Sequence, residues 1–340
     1  MGSIMANDMK KVPTITSFDV AREAGVSRSA VSRAFTPGTS ISDGTRKKVL
    51  KAASDLHYRV NLVARGLNKQ RTDLVGMIAS RMSNPYRAEQ IDALAKRLVK
   101  EGFRPMLFCI DEGMDEQQFL SILLNYQVSG VVITSDAPPA EICEEFARIQ
   151  VPLVLLDRMD DLPCVDRING NNVKGGRLVA EALIGAGRRK LVSVQQHVTG
   201  FAGKARTAAF IERAAEENFQ TEIIWVNESE YEGGAAAAPE VIKRINQNLG
   251  VFCPSDNVAL GLLDALRNKY GIQIPKQLSL IGYDDIPQAS WAFADLTTVK
   301  QSVEEFARVT VDLLKERIKN PDAEPRNEIV DVKLVSRGTV

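Results

Sequence analysis

From Leu74 to the C-terminus, short apolar runs alternate with longer stretches in which apolar residues recur at helical spacing. A short apolar run bounded by turn residues is typical of a buried strand, and strands that alternate with helices form parallel sheets covered on both faces. Nine such runs suit two sheets better than one. The sequence therefore predicts an α/β body of two lobes, and open α/β sheets bind ligands beyond the carboxyl ends of their strands, here in the cleft between the lobes.

The predicted strands are Leu74–Ile78, Pro105–Ile110, Gly130–Thr134, Leu153–Leu156, Leu191–Val194, Glu222–Val226, Gly250–Cys253, Leu278–Tyr283 and Thr297–Lys300. Helical patterns lie between nearly all of them, and the clearest are Glu89–Glu101, Val173–Ala186, Lys204–Asn218, Asn257–Tyr270 and Val303–Lys319. A strand-like segment, Val330–Ser336, precedes a short tail.

Upstream of this body, Thr16 to Ala34 have the pattern of two short helices joined by a tight turn. Thr16 and Ser27 are of the residue types that cap helix N-termini, and Gly25 supplies the left-handed backbone that ends a helix without strain. A third helix, capped at Ser42, completes a three-helix headpiece. The pattern predicts a helix-turn-helix whose second helix enters the major groove of DNA, and an ordinary surface helical hairpin is the alternative.

The exposed side of the second predicted helix carries the candidate DNA contacts. Arg28 is the strongest candidate for reading a base, because an arginine can bond both major-groove acceptors of guanine. Ser29 faces outward with it, Arg33 either reads a base or holds a phosphate, and Thr16 and Ser27 are better suited to positioning the DNA backbone. The predicted DNA-contacting residues of the headpiece are Thr16, Ser27, Arg28, Ser29, Ser32 and Arg33.

Charge is distributed unevenly along the chain. The whole chain carries 43 basic and 43 acidic side chains, but residues 10–71 carry thirteen basic and four acidic ones. A compact basic module on an acidic body indicates a single face that binds a polyanion.

The sequence lacks the features of secreted, membrane and catalytic proteins. Four widely spaced cysteines without a metal-ligand pattern indicate reduced thiols and a cytoplasmic protein with no metal site. No signal peptide and no apolar run of membrane-spanning length is visible. A GxGxxG motif and a phosphate-binding loop are missing, and His57 and His197 are the only histidines. We therefore predict neither an enzyme nor a cofactor.

Several motifs follow one another in a specific order: Asp19-Val-Ala in the headpiece, then Val75-Gly-Met-Ile, Asn84-Pro-Tyr, Asp157-Arg, Lys204-Ala-Arg, Ile281-Gly-Tyr-Asp-Asp and Leu296-Thr-Thr-Val-Lys-Gln. From about Thr14 to the C-terminus, the chain resembles the lactose-repressor/galactose-repressor (LacI/GalR) family. The resemblance implies a homodimeric transcriptional regulator, controlled by a ligand, whose body is similar to periplasmic sugar-binding proteins.

The resemblance also implies a division of the chain. We expect a disordered leader at 1–13, the helix-turn-helix domain at 14–59, a hinge at 60–72 and the effector-binding and dimerisation body at 73–340. Within the body, lobe one would comprise about 73–171 and 302–330, and lobe two about 172–301 and 331–340.

The hinge residues that the resemblance places in the minor groove of DNA are Asn61, Val63, Ala64 and Leu67. Leu67 resembles an apolar wedge that parts a base step, and a surface leucine in a flexible linker is the alternative. Val60 replaces the proline that is usual before Asn61, and Gly66 weakens the helical pattern. These departures predict a hinge that folds only when operator DNA is bound.

In the body, the resemblance assigns an effector site to residues of the cleft loops. Carboxylates such as Asp157 and Asp284 can accept two sugar hydroxyls, and the Arg206 fork can grip a hydroxyl pair or a carboxylate. Tyr86 and Trp291 either form an apolar wall for a ring or pack in the core. The predicted effector-binding residues are Tyr86, Arg87, Asp157, Arg158, Asn172, Arg206, Asp256, Asp284 and Trp291.

Two departures from the family pattern bear on the ligand. Arg87 stands where relatives often carry a second aromatic residue, and Pro254-Ser-Asp replaces the common Ala-Asn-Asp. With Arg158 and Arg206 nearby, they favour a cationic cleft and an effector with an acid or phosphate group. A neutral sugar or polyol is the alternative, with Arg87 then a solvated rim residue.

The resemblance implies a repressor of a carbohydrate or related carbon-source operon. We expect a dimer, bound to a palindromic operator with half-sites about one helical turn apart, with no membrane partner. The effector would be a sugar, sugar acid or sugar phosphate. Two alternatives stay open: a body that binds a phosphorylated carrier protein as corepressor, and a cytoplasmic solute-binding protein.

Overall fold

A computed structural model of the chain describes residues 15–35, 39–59, 72–110, 123, 125–134, 140–158, 165–197, 200–227, 230–245 and 248–340. The described residues up to Thr72 form one compact unit, and those from Asp73 onward form another. The predicted hinge contacts Asn61, Val63, Ala64 and Leu67 lie outside the described residues and stay predictions.

The first unit is the predicted three-helix headpiece, with helices Ser17–Ala24 (α1), Arg28–Ala34 (α2) and Asp43–Asp55 (α3). Each of the three contributes a fully or nearly fully buried valine to one small apolar core: Val20, Val31 and Val49. Three predicted local signals are confirmed: Gly25 is left-handed with φ of 63°, and the hydroxyls of Ser27 and Ser42 accept the backbone N–H three residues on.

The second unit is an α/β structure. Its strands, in chain order, are Leu74–Ala79 (β1), Arg104–Cys109 (β2), Gly130–Thr134 (β3), Leu153–Leu156 (β4), Asp166–Gly170 (β5), Lys190–Gln196 (β6), Thr221–Val226 (β7), Leu249–Phe252 (β8), Leu278–Ile281 (β9), Thr298–Gln301 (β10), Asn327–Val330 (β11) and Val332–Val335 (β12). Its helices are Pro85–Lys100 (α4), Ala140–Arg148 (α5), Asn172–Gly185 (α6), Phe201–Glu216 (α7), Glu230–Ile242 (α8), Asp256–Asp264 (α9) and Val303–Lys319 (α10).

Lobe one is built on a six-stranded parallel sheet with strand order β11-β5-β4-β3-β1-β2. Helices α4 and α10 pack on one face and α5 on the other, as the separate apolar clusters show. Covered on both sides, the central strands β3 and β4 are buried along their whole length, which explains their uninterrupted apolar sequences.

Lobe two is built on a four-stranded parallel sheet with strand order β7-β6-β8-β9. Helices α6 and α7 share one apolar cluster with this sheet, and α8 and α9 share another. Strands β10 and β12 add a small antiparallel pair, which the prediction of two parallel sheets did not contain. The chain passes between the lobes three times: from β5 to α6, from β10 to α10, and from β11 to β12.

Two strands were missed, and both have polar sequences. Strand β5 reads Asp-Arg-Ile-Asn-Gly, and its buried Asp166 is neutralised by the buried Arg317 of α10, at 2.8 Å. Strand β11 is a largely exposed edge strand. The predicted strand-like segment Val330–Ser336 contains β12, and only its first residue belongs to β11, because the chain changes lobe at Asp331.

Three predicted helices have wrong boundaries, and one of them, α7, runs over Phe201–Glu216 rather than Lys204–Asn218. Helix α4 begins at Pro85 rather than at Glu89, because Asn84 caps it and proline fits the first helical position. The helix predicted over Asn257–Tyr270 ends as an α-helix at Asp264 and continues as a π-helical turn, Ala265–Lys269.

Three of the four cysteines, Cys109, Cys143 and Cys253, fall within the described residues, and of these Cys109 and Cys253 are free thiols. Burial, with a contribution from Asp256, raises the pKa of Cys253, which keeps that thiol protonated and apolar. None of the helices that the structure describes is both long enough and apolar enough to cross a membrane.

Candidate DNA-binding face and effector cleft

The helix-turn-helix begins at Thr16, the N-cap of α1. Thr16 donates its backbone N–H and its hydroxyl to the carboxylate of Asp19, at 2.9 and 2.7 Å. These bonds, aided by Arg22, lower the pKa of Asp19. The cap orients the start of α1, so Thr16 is held in place at the surface of the headpiece.

All six predicted DNA contacts of the headpiece are exposed, whereas Ala30, Val31 and Ala34 of the same helix are buried. One exposed residue was missed: Phe18 is 63% exposed, and the guanidinium of Arg28 lies 5.3 Å from its ring centre. The ring restrains a side chain that is otherwise free in solvent. In the sequence, the signal that could have identified Phe18 was an aromatic residue on a helix surface that is otherwise polar.

In the second unit, residues that follow strands of both lobes surround a cavity of about 110 Å³. Lobe one contributes side chains after β1 and β4, and lobe two contributes side chains after β6, β7, β8 and β9. This is the predicted position, at the carboxyl ends of parallel strands. The polar side chains that line it are Arg81, Asn84, Tyr86, Arg87, Asp157, Gln196, Arg206, Glu230, Ser255 and Asp284.

Arg206, only 6% exposed, organises the lobe-two wall of the cleft. Its Nε donates to Asn172 Oδ1 at 2.9 Å, and its Nη1 donates to the carbonyl of Pro254 at 2.9 Å and to Asp284 Oδ1 at 3.1 Å. The planar guanidinium lies over the ring of Tyr283. Hydrogen bonds from its nitrogens and an aromatic face below it hold the arginine in one orientation.

Asp284 is presented to the cleft by a strained loop. Its φ is 119° and that of the next residue, Asp285, is 59°, both in the region that side chains rarely adopt. Gln301 Nε2 donates to the same Asp284 oxygen, at 2.9 Å. Burial raises the pKa of Asp284 to about 6, and the neighbouring Arg206 opposes a larger rise. The side chain is therefore ionised at neutral pH and close to protonation under mildly acidic conditions.

Asp256 lies behind that loop rather than in the cavity. It is fully buried, its Oδ2 accepts the backbone N–H of Ile286 at 3.0 Å, and its Oδ1 accepts the hydroxyl of Thr298. Burial, with a contribution from the Asp284 carboxylate, raises its pKa to about 7. Its contacts make Asp256 a support for the loop that carries Asp284, not a lining residue.

The remaining predicted effector residues divide into two groups. Tyr86, Arg87 and Asp157 line the cavity. Arg158 is buried but is not part of the lining, and its carbonyl accepts the side-chain amide of Asn169. Trp291 is half exposed and packs at 5.8 Å against another exposed ring, that of Phe293, away from the cavity.

Comparisons with known proteins agree with this architecture. A model of the bacterial lacI family of regulatory proteins matches residues 16–61, and a model of periplasmic binding protein-like domains matches residues 180–340. The HTH-type transcriptional repressor PurR of Vibrio atlanticus is 31% identical over 327 residues, which cover 95% of this chain and 97% of that repressor. This chain belongs to the lacI family. It is a DNA-binding transcriptional regulator, as its headpiece indicates, and the predicted family is confirmed.

Other relatives of this lacI-family protein bind sugars or control sugar genes. The ribose operon repressor of Haemophilus influenzae is 30% identical over 330 residues, 96% of this chain and 98% of that repressor. A LacI family regulator from Enterococcus faecalis, solved with bound ribose, has a TM-score of 0.71 at 27% identity and covers 78% of this chain and 98% of its own. The Lac repressor bound to ONPG shares the fold, with a TM-score of 0.83 at 24% identity, over 96% and 99% of the two chains. The named relatives are transcriptional repressors or, in the case of the Enterococcus faecalis protein, a transcriptional regulator.

Sequence reasoning missed several lining residues of this lacI-family cleft: Arg81, Asn84, Gln196, Glu230 and Ser255. Each follows the end of a predicted strand within a few residues, so their positions carried a usable signal. Asn84 and Ser255 also lie in the motifs Asn84-Pro-Tyr and Pro254-Ser-Asp, whereas nothing local distinguishes Arg81, Gln196 and Glu230 from other polar loop residues.

Proposed function

We propose that this lacI-family protein is a cytoplasmic repressor of a carbohydrate or related carbon-source operon. It binds a palindromic operator as a homodimer, and a small effector in the cleft controls that binding. The headpiece reads the operator through α2, with Arg28, Ser29 and Arg33 at base edges and Thr16, Ser27 and Ser32 at the backbone. The hinge residues Asn61, Val63, Ala64 and Leu67 complete the contact in the minor groove.

The observation that supports an effector site is the set of buried polar atoms in and around the cleft that lack a partner among the described residues. Tyr86 Oη and Asp157 Oδ1 belong to lining residues, and Asn172 Nδ2 and Gln301 Oε1 belong to residues that bond Arg206 and Asp284. Buried polar atoms are normally hydrogen-bonded, and leaving one unpaired costs about 1–3 kcal/mol. A ligand rich in hydroxyls, which both donate and accept, satisfies such a mixed set.

Backbone strain supports the same site. Four of the lining residues have positive φ without being glycine: Arg81 at 52°, Asp157 at 55°, Glu230 at 50° and Asp284 at 119°. Conformations of this kind cost about 1–3 kcal/mol each and cluster at ligand sites, where they aim side chains. The strain at the ends of four strands is explained if these side chains serve a common ligand.

The charges of the cleft favour a neutral sugar over an acid or phosphate. Arg206 is paired with Asp284, and Arg158 is not a lining residue, so neither contributes a free positive charge. Arg81 and Arg87 face a lining that also contains Asp157 and Glu230. The balance of these charges weakens the sequence-based prediction of an anionic effector, and we propose a neutral pentose or hexose.

The test is calorimetric titration of the full-length protein with ribose, xylulose, gluconate and ribose 5-phosphate, repeated on Asp157→Asn. We expect binding of a neutral sugar that weakens at least tenfold in the variant, because a carboxylate acceptor is lost. Binding of only the acid or the phosphate would contradict the neutral ligand. Binding of no sugar, with tighter operator binding in the presence of a phosphorylated carrier protein, would replace the small effector by a protein corepressor.

A further inference from the structure

The loop that carries Asp284 has an anchor outside the effector cavity. The next residue, Asp285, is largely buried, and each of its carboxylate oxygens has a cationic partner. Oδ1 accepts a hydrogen bond from Nη2 of Arg337 at 2.6 Å, and Oδ2 accepts one from Nζ of Lys300 at 3.2 Å. None of these three residues is among those that line the cavity, and all three lie in lobe two. The anchor therefore acts within one lobe and does not depend on the separation of the two lobes.

Arg337 is itself held in place by the segment to which it belongs. Its Nη1 donates to the carbonyl of Leu296 at 2.8 Å, and its backbone N–H donates to Thr297 Oγ1 at 2.9 Å. Two residues further on, the fully buried hydroxyl of Thr339 accepts the backbone N–H of Thr297 at 2.9 Å and donates to the carbonyl of Leu280 at 2.7 Å. Because these bonds fix the arginine, its ion pair restrains the loop rather than the C-terminal segment.

The backbone of the loop needs such a restraint. Asp284 and Asp285 are consecutive residues with positive φ, 119° and 59°, and such conformations persist only where the surrounding structure holds them. On one side, the backbone N–H of Asp284 donates to the carbonyl of Val299 at 2.8 Å. On the other side, the backbone N–H of Ile286 donates to Asp256 at 3.0 Å. Between these two bonds, the ion pairs of Asp285 tie the strained backbone to the rest of lobe two.

We propose that Arg337 is a positioning residue of the effector site: through Asp285, it holds the strained loop in the conformation that presents Asp284 to the ligand. The inference rests on the proposed function for the presence of an effector in the cleft, but the restraint on the loop does not. Binding side chains that outer residues hold to within about 0.5 Å bind more tightly, because less freedom is lost when the ligand arrives. Arg337 therefore contributes to effector affinity without touching the effector.

The test uses five variants of the full-length protein. Arg337→Met removes the charge and keeps an apolar stem, whereas Arg337→Lys keeps a cation for Asp285. Asp285→Asn removes the charge at the other end of the pair, and asparagine tolerates the positive φ at this position. Thr339→Val is the matched control, because it breaks two bonds of the same C-terminal segment without touching Asp285. Lys300→Met removes the more exposed of the two cations, which should matter less.

Hydrogen–deuterium exchange of the ligand-free proteins measures the restraint without any effector. We expect exchange of segment 282–287 to be about fivefold faster in Arg337→Met and Asp285→Asn, and close to wild type in Arg337→Lys and Lys300→Met. The double variant of Arg337→Met and Asp285→Asn should match the faster single variant, because both changes remove the same pair. Thr339→Val should speed exchange around Thr297 only. Wild-type exchange of the loop in both Arg337→Met and Asp285→Asn, or an equal increase in Thr339→Val, would overturn the proposal.

Calorimetric titration with ribose separates this proposal from the proposed function. We expect Arg337→Met and Asp285→Asn to bind ribose about tenfold more weakly than wild type, and Arg337→Lys and Thr339→Val to bind within about threefold of it. Equal ribose affinity in wild type and Arg337→Met, even with faster loop exchange, means that the positioning role fails while the effector site stands. If wild type binds no sugar, the choice of ligand fails, and the exchange pattern alone decides whether Arg337 restrains the loop.

Discussion

The guanidinium carbon of Arg206 lies 3.7 Å from the centre of the Tyr283 ring, so the buried cation of the cleft rests on an aromatic face. The ring itself is positioned by Gly175 of α6, where an added Cβ would lie 2.1 Å from Tyr283 Oη. A helix–ring contact inside lobe two therefore determines where the arginine of the cleft is placed. Substitutions at Gly175 or Tyr283 should therefore change the position of Arg206 in the cleft.

We expect Gly175→Ala to destabilise the body by about 2–3 kcal/mol, because the methyl group collides with a fully buried tyrosine that has no room to move. Gly185→Ala, in the same helix and with no atom near its added methyl, should instead stabilise by up to about 1 kcal/mol. Urea unfolding of the two variants checks this, and equal effects at both positions would show that Tyr283 does not depend on Gly175.

Arg206→Lys keeps the charge but loses the fork that bonds Asn172, Pro254 and Asp284 together. We expect the effector affinity to fall by more than tenfold and the free energy of unfolding by about 2–4 kcal/mol, because buried partners are left unpaired. Arg213→Lys, in the same helix, where a partly exposed arginine pairs with the solvent-exposed carboxylates of Glu181 and Glu217, should change stability by less than about 1 kcal/mol. Calorimetry and urea unfolding measure the two effects, and a lysine as effective as Arg206 would contradict the role of the fork.

The buried carboxyl of Asp256 should make stability depend on pH. Its pKa is about 7 in the folded chain and ordinarily 3.8, so between these values the folded state binds more protons than the unfolded state. The free energy of unfolding should therefore fall as pH rises from about 4 to 7, by on the order of 2–4 kcal/mol from this group.

Asp256→Asn removes this titration and should make the fall in stability over the same range shallower, leaving the smaller part that comes from the raised pKa of Asp284. The matched change at the exposed Asp322 should leave the slope as in wild type. Urea unfolding at a series of pH values from about 4 to 8 gives both profiles. An unchanged slope in Asp256→Asn would assign the pH dependence to another group.

In the headpiece, Arg28→Ala should weaken binding to an operator obtained by in vitro selection by about 1–3 kcal/mol and relax the preference at one base pair. Lys47→Ala, on the exposed side of α3, should weaken binding to all sequences to a similar extent and reduce its salt dependence. Competition binding on a library of single-base operator variants distinguishes the two. A uniform loss in Arg28→Ala would make that arginine a phosphate contact.

Phe18→Leu tests whether the ring restrains Arg28. We expect a loss of operator affinity smaller than in Arg28→Ala, about two- to fivefold, and no further loss when the two changes are combined, because the aromatic contact acts through the arginine. The same competition assay on the single and double variants measures the coupling. Additive losses would show that Phe18 contacts the DNA by itself.

Most elements and part of the cleft could be predicted from the sequence. Caps, the Gly25 turn and helical periodicity are local signals, so the three headpiece helices were predicted and the helix Val303–Lys319 has the predicted bounds. Strands with apolar sequences were found, whereas β5, whose Asp166 is neutralised by an arginine 151 residues away, was not. In the sequence alone, a strand that contains a buried charged residue resembles a polar loop, because the residue that pairs with the charge is far away in the chain.

The sequence by itself determined the family, the order of domains that the family implies and the residue types available at the strand ends, because these depend on local pattern and motif order. Only the tertiary structure decided what each carboxylate does. Asp284 points into the cleft, Asp256 supports its loop from behind, and Glu230 bonds Asn84 of the other lobe. The three carboxylates have the same chemistry. Their roles differ because tertiary packing decides how deeply each is buried and which distant strand ends come together, and a short stretch of sequence does not contain this information.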